Sequence, residues 1–264
     1  MAETKKYLIK RNKKIRLIEL FGGIDTQSMA LERMGVPFEH YKLVEFDKYP
    51  VASYNAIHET SFKPQDITKT HIDDLAITDK EHYQYICTYS FPCTDISVAG
   101  HMAGMSRQDW LSGNSTRSGL LWEFERILNE AVKKGTDEGE LQKYLPDILV
   151  MENVTQVHNK KNLKDFKYWL GDLEQFGYIS KYADLNAKDF GVPQNRNRCF
   201  CVSWLDKNAD FEFPKSIPLG VSMDVCLQPE EEVESRYYIK GPRADDLINQ
   251  LIKRYGEDLE EMLN

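Results

Sequence analysis

Several things are missing from this sequence, and each absence narrows the reading. Its five cysteines (87, 93, 199, 201 and 226) are an odd number and include no Cys-x-x-Cys pair. Neither a disulfide scaffold nor a zinc site is therefore expected, and a reducing cytoplasm is the default compartment. No apolar run is long enough to span a bilayer, and Met1-Ala2-Glu3-Thr4-Lys5-Lys6 carries no apolar signal core, so no membrane partner is expected. Internal repeats and low-complexity tracts are absent. So is an excess of positive charge: 34 Lys and Arg against 42 Asp and Glu leave a formal net charge of −8. That balance argues against a self-sufficient nucleic-acid binder.

What is present suffices for one sizeable core and a small appendage: 264 residues, 41% of them hydrophobic. After a basic leader (residues 1–14), apolar runs at 15–20, 41–46, 83–89 and 147–151 read as strands, with a short one at 65–67. Helical patterns fall between them at 26–34, 49–58, 117–134 and 162–176. Strands alternating with helices of this length predict an α/β fold with a doubly wound, mostly parallel sheet. Two further strands, at 178–185 and 199–204, are separated only by a Gly191-Val192-Pro193 corner and predict an antiparallel edge hairpin. A polar loop with glycines at 100, 104 and 113 has the makings of a lid. The expected organisation is a leader (1–14), a catalytic domain (15–205), and a linker with an incomplete C-terminal part (206–264) whose last element is an amphipathic helix at 244–263.

Cys93 lies in Ser90-Phe91-Pro92-Cys93-Thr94-Asp95-Ile96-Ser97, just past an apolar strand, where Pro92 fixes the chain's exit. A thiol there is placed as a nucleophile would be; a small buried hydrophobe is the competing reading. Phe21-Gly22-Gly23 sits between a first strand and a helix, where α/β sheets receive nucleotide-like ligands, though the match to G-x-G-x-x-G is poor. Glu45 follows 22 residues after Gly23, at the end of the next strand, where a carboxylate can accept ribose hydroxyls. No phosphate-binding lysine or Walker pattern accompanies them, so a cofactor with ribose and no pyrophosphate fits best. Met151-Glu152-Asn153-Val154 puts a carboxylate at the end of a neighbouring strand, where a dry pocket would raise its pKa and make it a proton donor; a salt-bridged rim position is the alternative. In Gln194-Asn195-Arg196-Asn197-Arg198, strand alternation would set Gln194, Arg196 and Arg198 on one face, suited to a phosphate or a carbonyl oxygen.

Taken together and in order, Phe21-Gly22-Gly23, Glu45-Phe46-Asp47, Asp66-Ile67, Phe91-Pro92-Cys93 with Ser97, residues 117–120, Glu152-Asn153-Val154 and Gln194-x-Arg196-x-Arg198 resemble the cytosine-5 DNA methyltransferases, bacterial and phage members above all, over residues 15–205. The resemblance implies an S-adenosylmethionine-dependent methyltransferase fold, double-stranded DNA as partner, and catalysis on a cytosine flipped out of the duplex. It assigns Cys93 as the nucleophile that adds to C6, Glu152 to N3, and Arg198 to the O2 oxygen, with Arg196 bracing the active-site loop or a phosphate. It gives the cofactor Phe21, Gly23, Ile24, Glu45, Phe46, Asp66, Ile67, Pro92 and Leu120, and the nucleic acid Ser97, Arg117 and Asn153. No metal is implied. Methylation of tRNA by the same residues, or a silent regulatory scaffold, are the alternatives; a scaffold has no chemical need for Cys93, Glu152 and both arginines.

The pattern departs from the family at Thr94, where glutamine is usual, and at Asp25, where glycine is. About 60 residues follow Trp204, and neither late motif of the family is found in them. A truncated chain, one subunit of a split enzyme, or a minimal variant would each account for this. The isolated 264-residue chain is expected to bind duplex DNA weakly and to methylate it poorly; efficient methylation by the purified chain alone would overturn that expectation.

Overall fold

A computed structural model describes residues 8–24, 26–96, 104–114 and 116–256. Ser97, Asp25, Gly100 and the end of the expected last helix lie outside these residues. The chain divides into two units, Met1–Leu219 and Gly220–Asn264.

The first unit is built on β1 (Lys14–Leu20), which alternates strictly: Ile15 and Leu17 face one side of the sheet, Ile18 and Leu20 the other, all buried. Strands buried on both faces belong to parallel sheets with two covering layers. Helix α1 (Thr26–Arg33) leads to β2 (Phe38–Val44), and α2 (Lys48–His58) follows. The chain then passes through the short α3 (Ile72–Leu75) and crosses to the far side of β1 to form β3 (Tyr83–Tyr89). After α4 (Arg107–Leu111) and the long α5 (Leu121–Asp137) comes β4 (Ile148–Asn153), then α6 (Leu163–Gln175), β5 (Ile179–Asn186) and β6 (Asn197–Trp204). Strand order is β2-β1-β3-β4-β6-β5. The pairs β1–β2, β1–β3 and β3–β4 are parallel, whereas β6 runs antiparallel to both β4 and β5. The doubly wound sheet and its edge hairpin are thus as the alternation predicts. Strand order reverses at β1 and β3, which creates a crevice at their carboxyl ends.

One face is thickly covered. Tyr85, Cys87 and Tyr89 of β3 and Leu149 and Met151 of β4 pack with Phe124, Leu128, Phe166 and Trp169 from α5 and α6. Trp169 Nε1 donates to the Tyr89 hydroxyl at 3.1 Å, so this dry contact leaves the indole nitrogen satisfied. The other face carries α1 and α2, whose Tyr54 hydroxyl reaches Glu19 of β1, together with the flanking segments that bear Leu8, Ile9, Phe211 and Phe213. Ile86, Ile148, Val150 and Val202 there form the floor of a cavity of about 1290 Å³.

Three segments differ from the sequence reading, the first being the expected polar loop, of which Arg107–Leu111 forms the helix α4. Residues 65–67 form no strand: the Asp66 carboxylate accepts from Thr68 N at 3.0 Å and Thr68 Oγ1 at 2.8 Å and turns the chain into a 3₁₀ turn, Ile67–Lys69. Gln194 is not in a strand either, because β6 starts at Asn197; Gln194 N bonds back to Val192 O at 2.7 Å within the corner. The second unit holds short 3₁₀ turns at Met223–Cys226, Glu230–Glu232 and Ser235–Tyr237. Its helix α7 (Pro242–Tyr255) starts on a proline, where a missing N–H costs nothing, and leaves Leu247, Ile248 and Ile252 exposed.

Gly135, inside α5, has no room for a side chain: a Cβ there would lie 2.4 Å from Glu140 O and 2.8 Å from Leu141 O. An exposed helical Gly→Ala substitution gains about 1 kcal/mol, but backbone overlap of this kind costs about 1–3 kcal/mol. Gly135→Ala is therefore expected to lower the urea midpoint, the reverse of the propensity effect.

Candidate active site

The carboxyl ends of β1 and β2 are joined through one side chain. Glu45, just past β2, accepts from Gly23 N through Oε2 at 3.2 Å and from Asp47 N through Oε1 at 2.9 Å. It thereby links the loop after β1 to the entrance of α2, whose N-cap is Asp47. That loop is tight. Phe21 takes φ of 58° and Gly23 φ of 59°, both left-handed, and Phe21 N is tied to Val44 O at 2.7 Å. A Cβ on Gly22 would meet Leu43 Cδ1 at 2.5 Å and Glu19 Cβ at 3.2 Å, so a side chain there would have to displace Leu43 from β2. Ile24 and Phe46 remain 48% and 75% exposed, which leaves apolar surface on both sides of the Glu45 carboxylate. A flat apolar ring with a hydroxylated sugar fits such a set.

Cys93 leaves the end of β3 on a loop that is fastened from two sides. Asn153 Nδ2, at the end of β4, donates to Phe91 O at 2.9 Å. Ser118 Oγ donates to Pro92 O at 2.7 Å, and Ser118 N donates to the Asp95 carboxylate at 3.2 Å. The turn closes with Ile96 N on Cys93 O at 3.1 Å, and the Cys93 side chain is half-buried against the core. The other thiols of the first unit, Cys87, Cys199 and Cys201, lie fully buried in the core. Burial pushes the Cys199 thiol up to about 12 and that of Cys201 up to about 11, and Cys87 is raised further still. Buried thiols of this kind are held as neutral hydrophobes.

Glu152 stands one residue before Asn153, with Tyr89 of β3 opposite Met151 and Phe200 of β6 opposite Glu152. Arg198 Nε approaches Glu152 Oε1 at 3.0 Å, and Arg196 Nη2 approaches the same oxygen at 3.8 Å. Both arginines thus converge on the carboxylate although Gln194 does not share their face. Phe21, Gly22, Ile24, Glu152 and Arg196 border the mouth of the open cavity; Glu45, Phe46 and Cys93 do not line it.

The remaining residues singled out from sequence are placed as follows. Leu120 is half-buried and Arg117 exposed on the 3₁₀ turn Arg117–Leu120. Pro92 is half-buried in the Cys93 loop, whereas Ile67 is buried in the core and only 5% exposed. Asp66 is half-buried, its carboxyl held below the ordinary range by the Thr68 bonds. Asn153, expected to meet nucleic acid, is 2% exposed and turned inward; its amide is spent on Phe91 O and Val154 N. Ser118 was not singled out at all, and only its place within residues 117–120 signals it.

Beyond the fastened turn, Arg107 on α4 brackets the described end of the loop. Its Nε and Nη2 reach Glu125 at 3.0–3.1 and 2.8 Å, and its N donates to Asp165 at 3.2 Å. Asp172 on α6 packs beside Glu125.

An open α/β sheet with a ligand crevice at its switch point, and a thiol, a carboxylate and two guanidiniums at the adjoining strand ends, is the arrangement that the resemblance to the α/β methyltransferases implies. The family described as C-5 cytosine-specific DNA methylase matches residues 15–257, and the chain belongs to it. The match runs well past residue 205. Type II methyltransferase M2.ScrFI of Lactococcus lactis subsp. cremoris is 32% identical over 279 aligned residues, covering 88% of this chain and 72% of that protein. Orphan methyltransferase M.SssI of Spiroplasma monobiae is 31% identical, covering 92% and 69%. For the orphan methyltransferase M.SPBetaI of Bacillus phage SPbeta, at 28% identity, the chain spans 52% of the relative's length. Among solved structures, a Spodoptera frugiperda DNMT2 variant (18% identity, 85% of this chain, 62% of that one) and Entamoeba histolytica EhMeth (17%, 91% and 67%) share the fold, each with a TM-score of 0.61.

Burial first, and the adjacent Glu125 second, push the Asp172 carboxyl up to about 7. A raised carboxyl favours the protonated fold, so its contribution is complete below the unfolded value of about 3.9. It is lost as pH rises through about 7. The thermal midpoint is expected to fall between pH 5 and 8, and to fall less in Asp172→Asn; equal slopes in differential scanning calorimetry would contradict this.

Proposed function

We propose that this chain methylates cytosine at C5 in double-stranded DNA, with Cys93 as nucleophile. The observation that carries the proposal is the convergence of Arg196 and Arg198 on Glu152 one residue from Asn153, whose amide holds the Cys93 loop. Cys93 adds as thiolate to C6 of an extruded cytosine, which places electron density at C5. Arg198 Nε engages Glu152 Oε1, so Oε2 is the oxygen that meets N3, and a proton held there makes the ring a better electrophile. As charge develops on O2, a guanidinium from this pair stabilises it. Once C5 carries the new methyl group, its proton passes to a water molecule, Cys93 leaves C6 as thiolate and the aromatic ring is restored.

The methyl donor that family membership implies is S-adenosylmethionine, which supplies an electrophilic methyl group to C5. Glu45 would accept the ribose hydroxyls, and Phe21, Ile24 and Phe46 would flank the adenine, with Asp66 and Ile67 near its edge. Among the described residues nothing lies within 4 Å of the place a Cβ on the left-handed Gly23 would take, which leaves room for a ligand against the backbone there. Pro92 and Leu120 would face the methionine part, and Ser97 and Arg117 the DNA. Residues 15–205 would form the catalytic domain.

A second polypeptide is also part of this proposal. Duplex binding by a chain of formal charge −8 calls for basic surface from elsewhere.

The test is a trap. Duplex DNA bearing 5-fluorocytosine, which has no C5 proton to lose, is expected to form a covalent adduct with this chain that is stable in denaturing gels and requires S-adenosylmethionine. Cys93→Ala should abolish it, and Arg198→Ala should slow it by about 10²–10³-fold, the scale of a lost charge-stabilising donor. Absence of adduct, even with a recognition partner supplied, would favour the scaffold reading; an adduct on tRNA alone would reassign the substrate.

A further inference from the structure

The β2 edge of the sheet carries a side-chain cluster for which cytosine chemistry has no use. Glu32 on α1, His40 on β2 and His58 at the end of α2 each bring one ligand atom to within 4.8 Å of the others. The two imidazole rings lie 4.7 Å apart, centroid to centroid. Glu32 is exposed and both histidines are half-buried, so the cluster is open to solvent on one side and backed by protein on the other.

Each ring is oriented from behind. The Tyr54 hydroxyl donates to the Glu19 carboxylate. Its oxygen therefore accepts from His40 Nδ1, 2.7 Å away, which selects the tautomer with the electron pair on Nε2. Tyr54 and Glu19 are fully buried, so this backing is rigid. His58 Nε2 lies 3.2 Å from the Ile24 carbonyl oxygen. A carbonyl only accepts, so the proton sits on Nε2 and the electron pair on Nδ1. An imidazole whose second nitrogen is fixed by a carbonyl, or by a donor chain ending in a carboxylate, is how metal-ligating histidines are usually held.

We propose that Glu32, His40 and His58 bind one Zn²⁺ ion. Two imidazoles and a carboxylate match the donor preference of zinc and leave a position for water, whereas Mg²⁺ and Ca²⁺ prefer all-oxygen sets. The lack of Cys-x-x-Cys spacing bears on thiolate fingers and says nothing against an imidazole site. The ion would staple α1, β2 and α2 together beside Ile24, one residue from Gly23, and so stiffen the loop that Glu45 also holds. A second cluster, His158, Asp184 and Cys199, has similar spacing. It is the weaker candidate because Cys199 is fully buried, which leaves that cluster less open to an incoming ion.

The test is isothermal titration of the chelator-stripped chain with ZnCl₂, with thermal melts in parallel. One equivalent is expected to bind and to raise the melting midpoint. Glu32→Gln and His58→Ala should each weaken binding at least ~10-fold, and Tyr54→Phe, which keeps the ring and removes the hydroxyl that orients His40, about 10-fold. Cys199→Ser should leave the titration unchanged. Glu32 is exposed, so its variant tests the site without disturbing the core. The proposal is overturned if the folded wild-type chain takes up no Zn²⁺. It is equally overturned if uptake survives Glu32→Gln combined with His58→Ala, or if Cys199→Ser abolishes it. None of these readouts depends on methyl transfer.

Discussion

The hydrogen bond from Asn153 Nδ2 to Phe91 O sets the distance between the exits of two parallel strands. Cys93 lies two residues beyond Phe91 on one exit, and Glu152 one residue before Asn153 on the other. A thiol on one loop and a carboxylate on another can address neighbouring atoms of one small ring only if those loops do not drift. Here an amide buried to 2% exposure, rather than a surface contact, prevents the drift. Ser118 repeats the device from α5's side, with its hydroxyl on Pro92 O and its amide on Asp95. The Cys93 loop is thus held by β4 and by the segment leading into α5, the two elements next to it in the fold.

At the other edge of the crevice the same logic is carried by charge. Glu45 spends both carboxylate oxygens on backbone amides of two different loops, so a ligand hydroxyl arriving there joins an arrangement already fixed. The sheet behind is asymmetric. α5 and α6 close one face with aromatic packing, while the opposite face keeps a broad apolar floor.

Much of the fold was legible because the strands of a doubly wound sheet announce themselves. β1, β3 and β4 are rich in aliphatic and aromatic residues, and the β5–β6 hairpin is marked by Gly191 and Pro193. Residues 65–67 misled because Ile67 looks like a strand residue, yet the Asp66 side chain competes for the local amides and wins. Gln194 misled because alternation was extended through a corner that the backbone closes by short-range bonds. At the site, residue types were readable and directions were not. Asn153 sits at a strand end where inward and outward are equally available in sequence, and only its bond to Phe91 decides. Glu32, His40 and His58 belong to three separate elements with no motif spacing, so nothing short of the fold brings them together.

Phe21 carries one more consequence. A non-glycine residue at φ of 58° stores about 1–3 kcal/mol of backbone strain. Val44 O and Glu45 hold that loop in place, so the cost is met when the chain folds and not when a ligand arrives. The crevice is therefore preorganised: association there does not wait on a conformational rearrangement of the loop, and little ordering entropy is left to be lost in the bound state.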